Sequence, residues 1–233
     1  MMFPLQPIFS LWVGMDVPDF LLRGDTVMYL RIEGYVIRAF RDSLGGWMYD
    51  TLMNPGFSIR RLAFCAPYLF LAYFRSVEIY VGDSLAETQR FPFKVEGLLC
   101  NAETLYIYDS NAIYRKLIGR APRLLYSSSN ILKQAWLIDS SIYVLEGNYL
   151  VALRRGVDTV ARFEGLGDIV GAYPCGRGYI LHFGSGELYF YYVKRGNPKA
   201  TLLEEDVLSF KVSGDTLAIL KGDSIRVYLL KGK

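Results

Sequence analysis

The sequence predicts an all-β protein built from six similar units, and three observations support this prediction. The same pattern, an apolar strand followed by a turn and a second strand, returns along the chain. Its strands alternate in the manner of Leu105-Tyr106-Ile107-Tyr108, which is typical of half-buried β-strands. The turns contain Gly, Asn, Asp or Ser, which supply the positive-φ positions that tight hairpins need. No segment shows a convincing helical period.

The period of the repeat is measured from one anchor residue in the second strand of each unit. The six anchors are Val27, Leu69, Leu105, Ile142, Ile180 and Leu217. The first interval is 42 residues and the other four lie between 36 and 38. A fixed period in this range indicates a repeat architecture.

The last unit shows the predicted strands most clearly. They are Val207–Val212, Thr216–Leu220 and Ser224–Leu230, separated by turns at Ser213-Gly214-Asp215 and Lys221-Gly222-Asp223. The first unit matches it, with Phe20–Val27 aligned on Phe210–Leu217. In the first five units the second turn is predicted at Glu33-Gly34, Phe74-Arg75-Ser76, Asp109-Ser110-Asn111, Glu146-Gly147-Asn148 and Gly184-Ser185-Gly186. Short fourth strands are predicted at Glu87–Phe93, Arg123–Ser127, Thr159–Glu164 and Lys199–Leu203.

Four antiparallel strands in each repeat predict the blades of a six-bladed β-propeller, because a single blade cannot bury both of its faces. The last unit ends at its third strand, and a spare strand from Phe3 to Phe9 precedes the first unit. Pairing the two completes the last blade and closes the ring without free edges. We therefore predict one domain over residues 1–233. Its blades are expected near residues 19–56, 57–93, 94–130, 131–167, 168–203 and 204–233 plus 1–10.

In this periodicity and turn placement the chain resembles the broad β-propeller superfamily, in the manner of WD-repeat-like and quinoprotein-like propellers. The Gly-His and Trp-Asp dipeptides of true WD repeats are absent. Their Asp-x-His-x-Trp network cannot form either, since His182 is the only histidine. The resemblance implies the fold, identifies no individual family and transfers no functional residue.

Composition and charge narrow the class of protein further. The 26 basic and 23 acidic side chains nearly balance, which excludes a strongly basic nucleic-acid binder but not a local patch. No segment is predicted to span a membrane, because the most apolar run, Leu62 to Phe74, is short and interrupted by Pro67. Residues 1–15 lack the Lys or Arg of a secretory signal, so a cytoplasmic location is expected. Three Gln and one His suggest a thermophile-like composition.

The three cysteines, Cys65, Cys100 and Cys175, have no metal-site or disulfide-framework spacing. They are interpreted as buried thiols that act as small hydrophobes. A Cys65–Cys100 bridge between neighbouring repeats is the alternative, since intracellular disulfides occur in hyperthermophiles.

Catalytic chemistry is not signalled. The sequence contains no nucleophile elbow, zinc-protease helix, phosphate-binding loop or EF-hand loop. His182 lies on a predicted strand with no flanking partner motif, so a structural role is favoured. We expect no cofactor, no metal and no catalytic residue, and we interpret Asp109-Ser110-Asn111 as a hairpin turn.

A basic patch is predicted where four cationic residues fall within nine positions, namely Arg115, Lys116, Arg120 and Arg123. These residues could contact nucleic-acid phosphates if they share one face. The competing interpretation is a solvated strand edge, where charge prevents unwanted pairing.

The most informative irregularity is the longer first interval. Its surplus of residues lies in the segment 41–56, interpreted as a loop insertion. The insertion carries residue types that are enriched at the centres of interfaces, namely Trp47, Met48, Tyr49, Leu52 and Met53. Local packing over the outer strand of the blade is the competing interpretation.

Three functions follow from these features. The leading hypothesis is a non-enzymatic protein-interaction module or scaffold subunit of a larger assembly, with a protein partner and no membrane partner. The alternative is a small-ligand-binding protein, or a propeller enzyme of the hydrolase or lyase type, that uses the channel mouth. The second alternative is a nucleic-acid-binding accessory protein that uses the basic patch.

Overall fold

The structure is a computed structural model that describes residues 5–24, 26–154 and 156–230. Phe3 and Pro4 of the predicted first strand, and Asp25 of the predicted first turn, lie outside the described residues. All regular elements in the described part of the chain are β-strands, and no helix there could cross a membrane. The strands form six four-stranded antiparallel sheets, so the chain is a six-bladed β-propeller, as predicted.

The six blades fall into two compact units of three blades each. The central unit is Asp16–Leu132, and the terminal unit combines Met1–Met15 with Lys133–Lys233.

Each blade of the central unit uses four consecutive strands, with the first strand at one edge and the fourth at the other. Blade 1 contains β2 (Phe20–Arg23), β3 (Thr26–Leu30), β4 (Val36–Arg41) and β5 (Trp47–Met53). Blade 2 contains β6 (Arg61–Cys65), β7 (Tyr68–Ala72), β8 (Ser76–Val81) and β9 (Ser84–Arg90). Blade 3 contains β10 (Gly97–Asn101), β11 (Thr104–Tyr108), β12 (Ala112–Leu117) and β13 (Arg123–Ser127).

The terminal unit has the same strand order, except that its last blade takes a strand from the N-terminus. Blade 4 contains β14 (Leu132–Ile138), β15 (Ser141–Glu146), β16 (Tyr149–Leu153) and β17 (Val157–Arg162). Blade 5 contains β18 (Ile169–Cys175), β19 (Gly178–Phe183), β20 (Leu188–Lys194) and β21 (Asn197–Glu204). Blade 6 contains β22 (Ser209–Ser213), β23 (Thr216–Lys221), β24 (Ser224–Leu230) and β1 (Leu5–Trp12). The predicted completion of the last blade by the N-terminal strand is confirmed, because β1 pairs with β24.

Burial explains why the blades stack. The middle strands are apolar on both faces, as in β7, where four of five residues are buried. The fourth strands are mostly exposed, as in β13 and β17. In the central unit one apolar cluster joins blades 1 and 2, and a second joins blades 2 and 3. Equivalent clusters in the terminal unit join blade 4 to blade 5, and blade 5 to blade 6.

The cysteine pair departs from the favoured interpretation of buried thiols. Cys65 at the end of β6 and Cys100 in β10 form a disulfide that links blades 2 and 3, with their Cα atoms 6.1 Å apart. The period placed both cysteines at related positions near the inner strands, and neighbouring blades bring those positions within bonding distance. Cys175 is buried and reduced, in agreement with its interpretation.

Candidate interaction surface

The interpretation of residues 41–56 as a loop insertion is wrong. Seven of these residues form β5, the fourth strand of blade 1, which pairs with β4 from Arg41↔Trp47 to Val36↔Met53. The longer interval arises from the turns on either side of β4, which have five residues each, and from the loop 54–60 after β5. In the turn, a carboxylate oxygen of Asp42 accepts hydrogen bonds from the backbone N–H groups of Leu44 and Gly46. These side-chain hydrogen bonds stabilise a five-residue turn, so this hairpin does not need the tight two-residue turn.

The five predicted partner-binding residues therefore lie along one strand and do not share one environment. Leu52 and Met53 pack against the apolar cluster between blades 1 and 2. Trp47 is half-buried, and the Arg41 guanidinium lies 5.4 Å from its ring centroid. Met48 and Tyr49 are exposed. Met48 and Tyr49 are thus the members of the set that a partner could reach, and a role for them in binding stays a prediction.

Lys116 does not belong to a basic patch. Its side chain is 0% exposed, and its Nζ lies 2.6 Å from Glu87 Oε1 and 2.8 Å from the backbone oxygen of Arg120. Glu87 also accepts a hydrogen bond from the backbone N–H of Gly119 at 3.3 Å. A buried ammonium group is tolerated when a carboxylate and further acceptors surround it. The lysine thus holds the turn after β12 against blade 2.

The other three members of the basic set remain at the surface. Arg115 and Arg123 are directly opposite each other on β12 and β13, and Arg120 lies in the turn between these strands. All three are exposed, and in the described part of the chain none of them forms an ion pair. The nearest aromatic ring in sequence, that of Tyr114, is already stacked on Phe93 at 4.6 Å. The three arginines thus form a local cationic site, and the Tyr114 ring beside it is stacked within the protein.

A different surface in the central unit combines exposed apolar side chains with arginines. It is formed by the turn between β3 and β4, the loop 54–60 and the turn between β7 and β8. We call it the Phe57–Phe74 surface. Its members are Ile32, Tyr35, Phe57, Arg60, Phe74 and Arg75, all of which are exposed.

Backbone packing and ring contacts bring these three segments together. A Cβ atom on Gly34 would lie only 2.1 Å from the backbone oxygen of Gly56, so the β3–β4 turn touches the loop that carries Phe57. Three residues further along this loop, the Arg60 guanidinium lies 5.1 Å from the Phe74 ring centroid. Gly34 has φ +94°, a conformation that a side chain would also oppose. The close approach therefore depends on glycine.

The Phe57–Phe74 surface carries positive charge next to its apolar groups. Arg75 also stacks on Phe74, with its guanidinium 5.7 Å from the ring centroid. In the described structure neither Arg60 nor Arg75 forms an ion pair, whereas Arg31 nearby is paired with Glu33 at 3.2 Å. Phe57 is 76% exposed. Aromatic and arginine side chains are enriched at protein interfaces, and arginine is also enriched among binding hot spots.

Sequence reasoning missed this surface, although one signal was present. Phe74 occupies a turn in which Gly, Asn or Asp is the usual residue, and Arg75 follows it directly. Phe57 and Phe74 lie far apart in the sequence, and only the stacking of blades 1 and 2 brings their loops to the same end.

His182 and Asp109, the two residues considered above for catalysis or metal binding, each contact the backbone of the protein. His182 is buried, and its Nε2 lies 2.9 Å from the backbone oxygen of Val207. Burial lowers the pKa of this imidazole, so it stays neutral at physiological pH. Among the described residues no group of three or more His, Cys, Asp or Glu side chains is placed to hold a metal ion. Asp109 closes its hairpin turn, as its Oδ1 accepts hydrogen bonds from the backbone N–H groups of Asn111 and Ala112, both at 2.7 Å.

Comparisons with known proteins support the fold and no individual family. No protein-family model matches the chain, and no curated protein sequence matches it. Among solved structures, the WD40 β-propeller domain of Doa1 aligns with a TM-score of 0.65 and 10% identity, covering 100% of this chain and 98% of that one.

Two further similar structures are parts of longer bacterial proteins. The extracellular domain of the hybrid two-component system BT4673 from B. thetaiotaomicron aligns with a TM-score of 0.62 and 15% identity, over 96% of this chain and 33% of that one. PorZ, a surface component of the type-IX secretion system of Porphyromonas gingivalis, aligns with a TM-score of 0.57 and 12% identity, over 95% and 38%. At such low identity the likeness is one of fold.

Proposed function

We propose that this protein is a non-enzymatic protein-interaction module, a propeller that binds a partner within a larger assembly. The Phe57–Phe74 surface is the observation that carries the proposal. It presents apolar rings and arginines on loops, while the strands beneath them are held by the apolar cluster between blades 1 and 2. Loops on a rigid scaffold are the usual location of binding residues. The WD40 propeller likeness agrees with such a role at the level of fold.

The chemistry of the surface selects an acidic partner segment that carries apolar side chains. Arg60 and Arg75 offer planar donor groups that carboxylates bind in a bidentate manner. The Phe57 ring offers apolar area that a partner would remove from water. A neutral partner would leave the two guanidinium groups without compensation, and a purely acidic one would leave the ring exposed.

The proposal is tested by placing a photo-crosslinking amino acid at position 57 in the native organism and identifying the captured protein. The purified partner is then titrated against the Phe57→Asp variant and the double variant Arg60→Glu/Arg75→Glu. We expect each to weaken binding by roughly 30-fold or more, the loss of a hot-spot contact. The matched control is Leu44→Asp, which changes an equally apolar and even more exposed residue (93%) in another turn of blade 1.

Three results would oppose this assignment. If Leu44→Asp weakens binding as much as Phe57→Asp, the effect is not specific to the surface. If Met48→Asp/Tyr49→Asp abolishes binding while Phe57→Asp does not, the contact lies on β5. If no partner is captured and the protein instead binds RNA or DNA in a salt-dependent manner that Arg120→Glu/Arg123→Glu weakens, the nucleic-acid alternative replaces it.

The proposed compartment is the cytoplasm. Intracellular proteins of hyperthermophiles are rich in disulfides, so the Cys65–Cys100 disulfide is compatible with this location in such an organism. The low content of Gln and His is also typical of proteins from thermophiles. Two of the structural neighbours are a bacterial surface component and an extracellular domain, so the fold also occurs outside the cytoplasm. Fractionation of native cells tests the assignment, and recovery of the protein outside the cytoplasm would reject it.

A further inference from the structure

The terminal unit carries an exposed surface at one end of blade 6 that combines apolar and acidic side chains. The last residue of β1, the turn between β23 and β24 and the residues just before β22 meet at this end, because the strands of the blade are antiparallel. The surface spans four strands, a width of about 14 Å. We call it the Trp12–Leu208 surface. Its members are Trp12, Glu205, Asp206, Leu208 and Asp223, all of which are exposed.

Hydrogen bonds fix the two apolar members of this surface while their side chains remain in water. Trp12 Nε1 donates to Asp223 Oδ2 at 3.1 Å, and the backbone N–H of Val13 donates to the backbone oxygen of Asp223 at 2.8 Å. The backbone N–H of Leu208 donates to the backbone oxygen of Leu220 at 2.9 Å. Trp12 is 68% exposed and Leu208 is 63% exposed. Apolar groups that are already held in place lose little entropy when a partner covers them.

The Trp12–Leu208 surface carries an excess of negative charge. Glu205 forms no ion pair in the described part of the chain, and Asp206 lies 3.6 Å from Lys221 Nζ with most of its side chain in water. Lys221 and Arg226 both converge on Glu204, at 2.9 Å and 3.7 Å. Together with Glu204, the three carboxylates of the surface outnumber these two cations. The surface therefore attracts a cationic partner.

The Trp12–Leu208 surface has the chemistry that the Phe57–Phe74 surface selects in a partner. The guanidinium groups of Arg60 and Arg75 bind carboxylates, which the acidic surface supplies. The exposed ring of Phe57 needs apolar area, which Trp12 and Leu208 supply. The chain has a formal net charge of only +3, so two copies repel each other weakly when they approach.

We propose that the protein self-associates, with the Phe57–Phe74 surface of one copy bound to the Trp12–Leu208 surface of a second copy. This inference rests on the proposed function, and it identifies the partner of that surface as the chain itself. The contact joins two different surfaces and is therefore heterologous. A second copy supplies the acidic and the apolar side chains together, whereas either kind alone would leave part of the Phe57–Phe74 surface without a match.

Sedimentation velocity of the full chain over a range of protein concentrations measures the association. We expect the average mass to rise with protein concentration and to fall when salt is added, because salt screens ionic contacts. Leu208→Asp and Phe57→Asp should each weaken association by roughly tenfold or more. The matched control is Val193→Asp, which changes a similarly exposed residue (59%) at the other end of blade 5 and should leave association unchanged.

Charge exchange tests whether the two surfaces bind each other. Arg60→Glu/Arg75→Glu makes the first surface acidic, and Glu205→Lys/Asp206→Asn makes the second one basic. Asn is chosen at position 206 because Asp206 has φ +55°, a conformation that Asn also adopts. Each variant alone should lose self-association, since like charges then face each other. An equal mixture of the two variants should associate again, and this recovery would also show that both are folded.

The proposal is overturned by a monomeric mass at every concentration, by equal effects of Val193→Asp and Leu208→Asp, or by a mixture of the charge variants that stays dissociated. The proposed function can survive these results. Capture of a different protein through position 57, with binding that Leu208→Asp does not change, would reject the second copy as partner and retain the interaction function. Capture of neither a second copy nor another protein would reject both.

Discussion

Lys116 was predicted to lie in a surface patch but is buried in the structure. Three neighbours with the same charge suggested a surface patch, but the residue points into the space between blades 2 and 3 and pairs with Glu87. The alternation along β12 separates the two environments, since Arg115 is exposed and Lys116 buried. A charge run on a strand therefore divides between its two faces. The prediction of a single patch did not take into account that successive side chains of a strand point to opposite faces.

His182 makes stability depend on pH in a predictable direction. Burial lowers the pKa of its imidazole in the folded state, and the bond to Val207 and the charge of Glu187 only partly oppose this. In the unfolded chain the imidazole takes up a proton as the pH falls through about 6.5. The unfolded state then binds more protons than the folded state, so the free energy of unfolding falls below that pH.

The prediction is measured by urea unfolding at about pH 8 and about pH 5.5, on either side of the ordinary imidazole pKa. The wild type should lose more stability between these two values than His182→Gln, whose amide does not titrate but can still donate to Val207. Because the chain has one histidine, the difference between the two proteins reports on His182 alone. Parallel pH profiles for the two proteins would show that the folded pKa is not lowered.

At the scale of the elements, the blades are joined by more than apolar packing. Arg61, at the start of β6, donates from Nε to the backbone oxygen of Glu96 at 2.8 Å, just before β10. Lys133, at the corresponding place in β14, donates from Nζ to the backbone oxygen of Ile169 at 2.6 Å. Each unit thus uses a long cationic side chain to satisfy a carbonyl group at the start of the next blade.

The disulfide is a covalent counterpart of these links and should contribute strongly to stability. Cys65 and Cys100 are 35 residues apart, and closing a loop of this length restricts the unfolded chain by an amount worth about 3–4 kcal/mol. We expect the reductant-treated wild type to unfold at a clearly lower denaturant concentration than the oxidised protein. The variant Cys65→Ala/Cys100→Ala should resemble the reduced protein.

Two controls accompany this measurement. The double variant should not respond to reductant, whereas Cys175→Ala should respond as the wild type does, because Cys175 is outside the bridge. A wild type whose midpoint is the same with and without reductant would contradict the prediction.

The outer strands mark the limit of what the repeat could predict. The predicted Arg123–Ser127 agrees with β13, but the predicted Glu87–Phe93 is displaced from β9, and β5 was taken for a loop. Inner strands are buried on both faces and carry a strong apolar signal, whereas outer strands are mostly exposed and carry a weak one. The Phe57–Phe74 surface lay beyond prediction for a related reason: it is assembled from three loops, and loop contacts have no period.

At the scale of the whole molecule, the two ends of the chain share one sheet. The register of β1 with β24 runs from Leu5↔Leu230 to Trp12↔Ser224. The sequence indicated this pairing through a spare strand and a unit that lacked its fourth strand, and the observed β1 extends further, to Trp12. Contacts between residues so distant in sequence cost much loop entropy before they form. The pairing therefore brings little benefit until most of the terminal unit is ordered.

This topology makes one side chain of β1 a sensitive test of the closure. Leu11 is 1% exposed, whereas Ile8 on the same strand is 44% exposed. Leu11→Ala leaves a cavity under β1 and should lower the free energy of unfolding by about 2–5 kcal/mol. Ile8→Ala removes a similar apolar group from the solvent side and should change the free energy of unfolding by less than about 0.5 kcal/mol.

Since the pairing of β1 with β24 forms late, the loss from Leu11→Ala should appear mainly as faster unfolding in stopped-flow denaturant jumps, with refolding nearly unchanged. Similar costs for the two variants would mean that β1 does not complete the blade in solution, and a loss confined to the refolding rate would mean that the termini pair early.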